Sequence, residues 1–191
     1  MNWKNNILSL ASCLKSLSIR NRLGDEIEID SAFTQLKDIT TRIREAGKTI
    51  YLIGNGASAS MASHVAADLA TNAHVHTEVF TDLSFITAIA NDFSYEDVFA
   101  EPLRRRMSDG DMLVAISSSG QSPNVLSASQ VAMSLGGHVV TLSAMKHDNS
   151  LRSHGSLNFY VPAETYGASE TSHAAILHYW VDQMTVQTKQ K

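Results

Sequence analysis

Four serine hydroxyls surround one glycine directly after the apolar run at 112–116. These residues are Ser117, Ser118, Ser119, Gly120 and Ser122. Hydroxyls donate hydrogen bonds to an anion, and a glycine lets main-chain amides turn towards it. Pro123 suits the first turn of a following helix, whose N-terminus would present the positive end of its dipole. We interpret the cluster as a phosphate cradle. The alternative is a serine-rich turn that only caps the helix.

A second loop of similar chemistry follows the apolar run at 49–53. It reads Gly54, Asn55, Gly56, Ala57 and Ser58. Its spacing is not that of a dinucleotide-binding fingerprint, and a tight strand-to-helix turn explains its glycines equally well. Two such loops in one parallel sheet indicate an anion site more strongly than either loop alone.

Two pairs of titratable residues have helical spacing. His64 and Asp68 are four residues apart and share one helix face, and Glu170 and His178, eight apart, share another. Two imidazoles and two carboxylates can bind a divalent metal or serve as the acid and base of a proton transfer. Either pair alone is also typical of an ordinary surface or core contact.

The first part of the chain is predicted to be helical. Apolar residues recur at helical spacing in two stretches within residues 2–46. Asp30 or Ser31 is the predicted N-cap of the second stretch, and Gly47 its end. Trp3 and Trp180 are predicted to be packing residues.

From residue 49 onwards, short apolar runs alternate with helical stretches. Strands are predicted at 49–53, 75–80, 112–116, 138–142 and 158–161, and helices at 58–71, 97–107, 123–134 and 169–187. This alternation predicts an α/β fold with a central parallel sheet covered on both faces. Ligands bind such sheets beyond the carboxyl ends of the strands, where both loops are expected to lie.

Composition limits the class of protein. The 191 residues, 43% hydrophobic and 18% charged, predict a single globular domain, with leading helices at 1–46 and a sandwich with a closing helix at 47–191. A net charge of −4 does not indicate a nucleic-acid-binding protein. The basic run of Arg104, Arg105 and Arg106 is interpreted as a solvated helix face. One cysteine fits a cytoplasmic protein without internal disulfides. We expect no signal peptide and no membrane span.

These motifs resemble, in order and spacing, the sugar isomerase (SIS) domain, and within it the phosphoheptose isomerases. The resemblance rests on residues 54–58, His64, Asp68, Asn91-Asp92-Phe93, residues 117–125, Glu170 and His178. It implies a flavodoxin-like three-layer αβα sandwich. It also implies conversion of sedoheptulose 7-phosphate to D-glycero-D-manno-heptose 7-phosphate for bacterial cell-surface heptose, and a homotetramer whose active sites are shared between subunits.

The resemblance also implies roles for individual residues. The substrate-binding positions are Asn55, Gly56, Ala57, Ser58, Asp68, Asn91, Asp92, Ser117, Ser118, Ser119, Ser122 and Glu170. The implied ligands of Zn²⁺ or another divalent metal, one ion per subunit, are His64, Asp68, Glu170 and His178. Asp68 takes the place of the catalytic base and His178 that of the acid.

Four positions depart from the family pattern. Asp68 replaces a glutamate and is one methylene shorter, and Glu170 replaces a glutamine and adds negative charge. Asn72 stands where arginine is common, and Gly167 where aspartate is common. An isomerase for another ketose phosphate therefore remains an alternative.

A second alternative is a non-catalytic SIS protein. Some relatives sense sugar phosphates or associate with a replication initiator, and loss of the usual glutamate fits that class. Retention of His64, Asp68 and His178 favours the enzyme. The remaining histidines are assigned to surface or structural positions, namely His74, His76, His138, His147, His154 and His173.

Overall fold

A computed structural model describes the main chain of residues 2–188 and the side chains of residues 2–185. Residues 1 and 189–191, at the ends of the predicted domain, lie outside this description. The helices are α1 (Trp3–Lys15), α2 (Ile29–Glu45), α3 (Ala57–Ala73), α4 (Leu83–Asp92), α5 (Ala100–Arg106), α6 (Pro123–Ser134) and α7 (Tyr166–Thr188). The strands are β1 (Ser18–Arg20), β2 (Glu26–Ile27), β3 (Thr49–Gly54), β4 (His76–Val79), β5 (Met112–Ser117), β6 (His138–Ser143) and β7 (Leu157–Tyr160).

The strands form one mostly parallel sheet in the order β2-β1-β7-β6-β5-β3-β4. The five strands from β4 to β7 in this order are parallel, while β1 pairs antiparallel with β7 and β2 antiparallel with β1. The order of the parallel strands is that of the flavodoxin-like folds. The predicted α/β sandwich is therefore confirmed, with an antiparallel hairpin added at one edge.

Successive side chains along the central strands pack into two hydrophobic cores, one on each face of the sheet. In β3, Ile50 and Leu52 pack with residues of α2, α3 and α7. Tyr51 and Ile53 point to the opposite face and pack with residues of α5 and α6. A strand buried on both faces reads as a continuous apolar run, which is why 49–53 and 112–116 could be recognised in the sequence.

The expectation that residues 2–46 are helical was wrong between α1 and α2, where the β1–β2 hairpin lies. Ile19 is fully buried and pairs with Phe159 of β7. The side chain of Asn158 secures the hairpin by donating to the Arg20 carbonyl at 3.0 Å. These are tertiary contacts to a distant part of the chain, and a strand of three residues is too short to show a period of its own.

The N-cap of α2 was also misplaced. Glu28 occupies that position, and its carboxylate accepts hydrogen bonds from the amides of Asp30 and Ser31, the two residues predicted as caps. These hydrogen bonds lower the pKa of Glu28. Gly47 follows the C-cap with a φ of +64°, in agreement with the predicted end of the helix.

Two further differences concern the middle of the chain and α1. Helix α4 was not predicted, although Asp82 caps it by accepting from the Phe85 amide at 3.0 Å.

Trp180 is buried as expected, and its Nε1 donates to Thr40 Oγ1 at 3.0 Å. Trp3 is instead 76% exposed, because α1 lies on the surface of the protein and none of its residues is buried.

His173 of α7 is a structural histidine, as assigned from the sequence. Its side chain is fully buried, and burial lowers the pKa of the imidazole from 6.5 to about 4. The folded protein therefore keeps His173 neutral at pH values where an exposed histidine is protonated.

This burial predicts acid sensitivity. Between pH 6.5 and about 4 the unfolded chain binds a proton at residue 173 that the folded chain does not. The free energy of unfolding should therefore fall as the pH falls through this window, by up to about 1.4 kcal/mol per pH unit. His173→Gln, which cannot be protonated, should show a shallower dependence in urea unfolding. The exposed His147→Gln is the control, and equal slopes for His173→Gln and the wild-type protein would contradict the prediction.

Candidate functional site

The two glycine- and serine-containing loops meet at one end of the sheet. Strands β3 and β5 are adjacent and parallel, with Gly54 in register with Ile116. The chain leaves β3 into α3 on one face and leaves β5 into α6 on the other. Such a switch point opens a crevice beyond the carboxyl ends of the strands, and that is where flavodoxin-like folds bind ligands.

The serine cluster forms a turn against the N-terminus of α6. Ser117 Oγ and Ser122 Oγ are 3.0 Å apart and hydrogen-bonded. Ser119 Oγ accepts from the Gln121 amide at 3.2 Å. Ser122 occupies the N-cap position of α6 but makes no side-chain capping bond. The side chain of Ser122 therefore does not cap α6. Pro123 has no N–H and the Val125 amide donates to the Ser122 carbonyl at 3.1 Å, which leaves the Asn124 amide at this helix N-terminus to face a ligand.

Gly120 is required by the shape of this turn. Its φ is +61°, and a Cβ atom built there would lie 1.9 Å from Asn149 Oδ1. Asn149 is held in place because its Nδ2 donates to the Lys146 carbonyl at 2.7 Å. The Leu151 amide donates to the Gly120 carbonyl at 3.0 Å. The back of the cradle is thus fixed by the segment that follows β6.

A cavity of about 180 Å³ lies in front of the cradle. Its lining residues are Asn55, Ser58, Ile116, Ser117, Ser118, Ser119, Ser122, Tyr166 and Glu170. The structure thus gathers both predicted loops and Glu170 around one space. Tyr166, the first residue of α7, was not predicted, and an isolated exposed tyrosine carries no sequence signal for a site.

The donors that line this cavity are neutral. Glu170 is the only charged side chain among the described lining residues. An anion bound here would be held by hydroxyls, amides and the helix N-terminus. Glu170 would have to face a different part of the ligand, because two negative groups in contact repel each other.

His64, Asp68 and His178 form a second cluster. His64 and Asp68 lie on α3, and His178 lies on α7, which packs along α3. One ligand atom from each lies within 4.8 Å of the other two. His64 Nε2 is 3.4 Å from Asp68 Oδ2, and the two imidazole rings are 5.2 Å apart at their centroids.

This donor set fits a divalent metal. Two imidazoles and one carboxylate are the ligands that catalytic zinc sites use, with a fourth position open to substrate or water. His64 and His178 are exposed and Asp68 is half-buried, so the group is accessible from solvent. The same three side chains can also transfer protons.

Glu170 is not a member of this described cluster, although it was predicted with the metal ligands. It lies eight residues before His178 on α7, and a helix rises about 12 Å over that distance. Within one chain the cradle and the histidine–aspartate cluster are therefore separate.

Five predicted substrate residues lie outside the described lining of the cavity, namely Gly56, Ala57, Asp68, Asn91 and Asp92. Asn91 and Asp92 end α4, are exposed, and are joined by a hydrogen bond of 2.9 Å from Asn91 Nδ2 to Asp92 Oδ1. Gly56 shapes the first loop with a φ of +57°. In a single chain, then, the cavity is bordered by only part of the predicted set.

Comparison with known proteins identifies the family of the chain. The SIS domain model matches residues 20–144, which include the cradle and two members of the histidine–aspartate cluster. The chain belongs to the SIS domain family.

Among its relatives in the SIS family are phosphoheptose isomerases. The chain is 36% identical to the phosphoheptose isomerase of Coxiella burnetii over 137 residues, 68% of this chain and 69% of the relative. It is 29% identical to that of Shewanella denitrificans over 175 residues, 87% and 89% of the two chains. The solved phosphoheptose isomerase GmhA of Neisseria gonorrhoeae superposes with a TM-score of 0.75 and 27% identity, covering 81% of this chain and 86% of that one.

Within residues 2–188, no helix combines the length and the apolar character needed to cross a bilayer.

Replacement of Gly120 by alanine should damage the cradle. The new Cβ would clash with Asn149 in addition to the strain of a positive φ, so we expect a loss of at least about 2 kcal/mol in the free energy of unfolding. Gly24→Ala is the control, because Gly24 also has a positive φ, +93°, but has open space around it. Urea unfolding of both variants measures the difference, and equal losses would contradict a packing role for Gly120.

Metal binding by the histidine–aspartate cluster should depend on His178. Loss of one of three ligands in His178→Ala should weaken Zn²⁺ binding at least about tenfold in isothermal titration calorimetry. His147→Ala is the matched control, because His147 also faces a carboxylate, that of Asp148 at 3.8 Å, but belongs to no described three-residue group. Equal Zn²⁺ affinity in His178→Ala and the wild-type protein would refute the site.

Proposed function

We propose that the protein is an isomerase that interconverts sedoheptulose 7-phosphate and D-glycero-D-manno-heptose 7-phosphate for bacterial heptose biosynthesis. The observation that carries this proposal is the pairing of an anion cradle with a proton-transfer cluster in one chain of the SIS family. Similarity to phosphoheptose isomerases over most of the chain supports the choice of substrate.

The cradle binds the phosphate group in this proposal. The hydroxyls of Ser117, Ser119 and Ser122 and the Asn124 amide at the N-terminus of α6 donate hydrogen bonds to the phosphate oxygens. Asn55 donates from the opposite loop. The carbonyl end of the sugar then reaches an acid and base that a neighbouring chain supplies in the shared site proposed below, and this anchoring makes the proton transfer effectively unimolecular.

The histidine–aspartate cluster transfers the protons in this proposal. Asp68 removes a proton from C1 of the ketose while His178 donates a proton to the oxygen on C2, which gives an enediol. The hydroxyl proton on O1 then returns to His178, and Asp68 delivers its proton to C2, so the aldose forms with no net gain or loss of protons. His64, 3.4 Å from the Asp68 carboxylate, orients the base.

A metal can assist at the same place. His64, Asp68 and His178 would hold a divalent ion, Zn²⁺ in our proposal, one per subunit. When bound, such an ion supplies a Lewis acid that polarises the sugar carbonyl. Glu170 would supply a fourth carboxylate ligand only if it came from another copy of the chain, because its own helix places it too far away.

We further propose a homotetramer with active sites shared between subunits. Helix α1 exposes the side chains of Trp3, Ile7 and Leu8, and a groove of about 720 Å³ runs between α1 and the start of α7. Exposed apolar surface of this kind is typical of subunit contacts. A single-chain cavity of about 180 Å³ is also small for a phosphorylated sugar, which a neighbouring chain would help to enclose.

The setting we propose is the cytoplasm, with the whole of 1–191 acting as one SIS domain. A single cysteine suits a reducing compartment. A net charge of −4 and a sugar-phosphate ligand give no reason to invoke nucleic acid or a membrane as a partner.

The decisive measurement is turnover of sedoheptulose 7-phosphate by the purified protein, with and without added Zn²⁺. Asp68→Asn and His178→Ala should each reduce kcat by at least about a hundredfold, because each removes a group that moves a proton. Both variants keep the cradle and should still be stabilised against heat by sedoheptulose 7-phosphate.

Other outcomes would identify the alternatives. Stabilisation by sugar phosphates without turnover would indicate a non-catalytic SIS sensor. Turnover of a different ketose phosphate would support the mechanism with another substrate. The carboxylate of Glu170, which lines the cradle cavity where the family has a glutamine, would help to explain such a difference in substrate. Absence of both binding and turnover would refute the proposal.

A further inference from the structure

A reciprocal pair of amides joins the two loops of the cradle. Asn55 Nδ2 donates to Asn124 Oδ1 at 2.9 Å, and Asn124 Nδ2 donates to Asn55 Oδ1, also at 2.9 Å. Asn55 belongs to the loop after β3, and Asn124 lies in the first turn of α6, just after the serine cluster. The pair therefore spans the switch point of the sheet.

The two partners have different surroundings. Asn55 lines the cradle cavity, whereas Asn124 is 2% exposed and is not one of the described lining residues. A buried amide normally has hydrogen-bond partners, and Asn124 finds them in Asn55. Any influence of the Asn124 side chain on a ligand must therefore pass through Asn55.

A third side chain completes the arrangement. Tyr95 Oη donates to Asn55 Oδ1 at 3.3 Å, from a turn outside both loops. A side-chain amide oxygen accepts two hydrogen bonds and the nitrogen donates two. Asn124 and Tyr95 together occupy both acceptor sites of Asn55, and Asn124 takes one of its donors. What remains is a single N–H.

We propose that Asn124 is a positioning residue of the sugar-phosphate site, which with Tyr95 orients the Asn55 amide so that it offers a donor to the ligand. The oxygens of a phosphate dianion, and those of a sugar, accept such a donor. An unrestrained Asn55 could instead rotate its oxygen towards the anion, which would repel it. This inference rests on the proposed function, since it assumes that the ligand is a sugar phosphate.

The test is a double-mutant cycle on ligand binding. Isothermal titration calorimetry with sedoheptulose 7-phosphate would compare Asn124→Leu, Asn55→Ala and the double variant. Asn124→Leu, which is similar in size and uncharged, should weaken binding about tenfold. In the Asn55→Ala background the same change should have no further effect, because a residue that acts only through Asn55 loses its influence when Asn55 is gone. A purely structural role would give additive losses.

Tyr95→Phe keeps the test valid if Asn124→Leu does not fold. Tyr95 is exposed, so removal of its hydroxyl should not affect folding. It should weaken binding about fivefold, the equivalent of one neutral hydrogen bond, and only when Asn55 is present. Tyr51→Phe is the control, because it removes a hydroxyl that donates to the Arg106 carbonyl at 3.0 Å, away from the cavity.

The outcomes separate this inference from the proposed function. Non-additive losses would support it even if the wild-type protein showed no turnover, since binding alone is measured. Additive losses, or unchanged binding in both Asn124→Leu and Tyr95→Phe, would overturn it and leave the isomerase intact. Absence of binding of both sedoheptulose 7-phosphate and inorganic phosphate to the wild-type protein would contradict this inference and the proposed function together.

Discussion

The parallel pairing of β3 with β5 is the constraint on which the anion site depends. The register that places Gly54 beside Ile116 makes the two strands end together. The helices that follow leave towards opposite faces, so the loops diverge and expose amides and hydroxyls instead of packing on each other. A shift of register by one residue would separate Asn55 from Asn124 and turn the serines away from the crevice.

The histidine–aspartate cluster depends on a different contact, the packing of α7 along α3. His64 and Asp68 share a face of α3 because they are four residues apart, but His178 joins them only because α7 lies alongside. Trp180 ties α7 to α2 through its hydrogen bond with Thr40. The geometry of the histidine–aspartate cluster is thus set by helix packing, and that of the serine cradle by the sheet.

The two parts of the site have contrasting electrostatics, which suits the chemistry. The cradle offers neutral donors and a helix N-terminus, so it can bind a dianion without a lysine or arginine. The histidine–aspartate cluster is the group that can accept and return protons. In one chain Glu170 lies at the cradle end of α7 and His178 lies eight residues beyond it, and this separation is the physical reason for proposing a site shared between chains.

The central parallel sheet could be predicted from the order of the residues, because fully buried strands read as apolar runs and the residues after them identify the loops. It also placed the serine cradle and the His64–Asp68 pair, which depend on local spacing. Three features emerged only when the chain was folded: the β1–β2 hairpin, the exclusion of Glu170 from the His64–Asp68–His178 cluster, and the hydrogen-bonded pairing of Asn124 with Asn55. Each of these depends on contacts between segments distant in the chain, which local periodicity and propensity do not record.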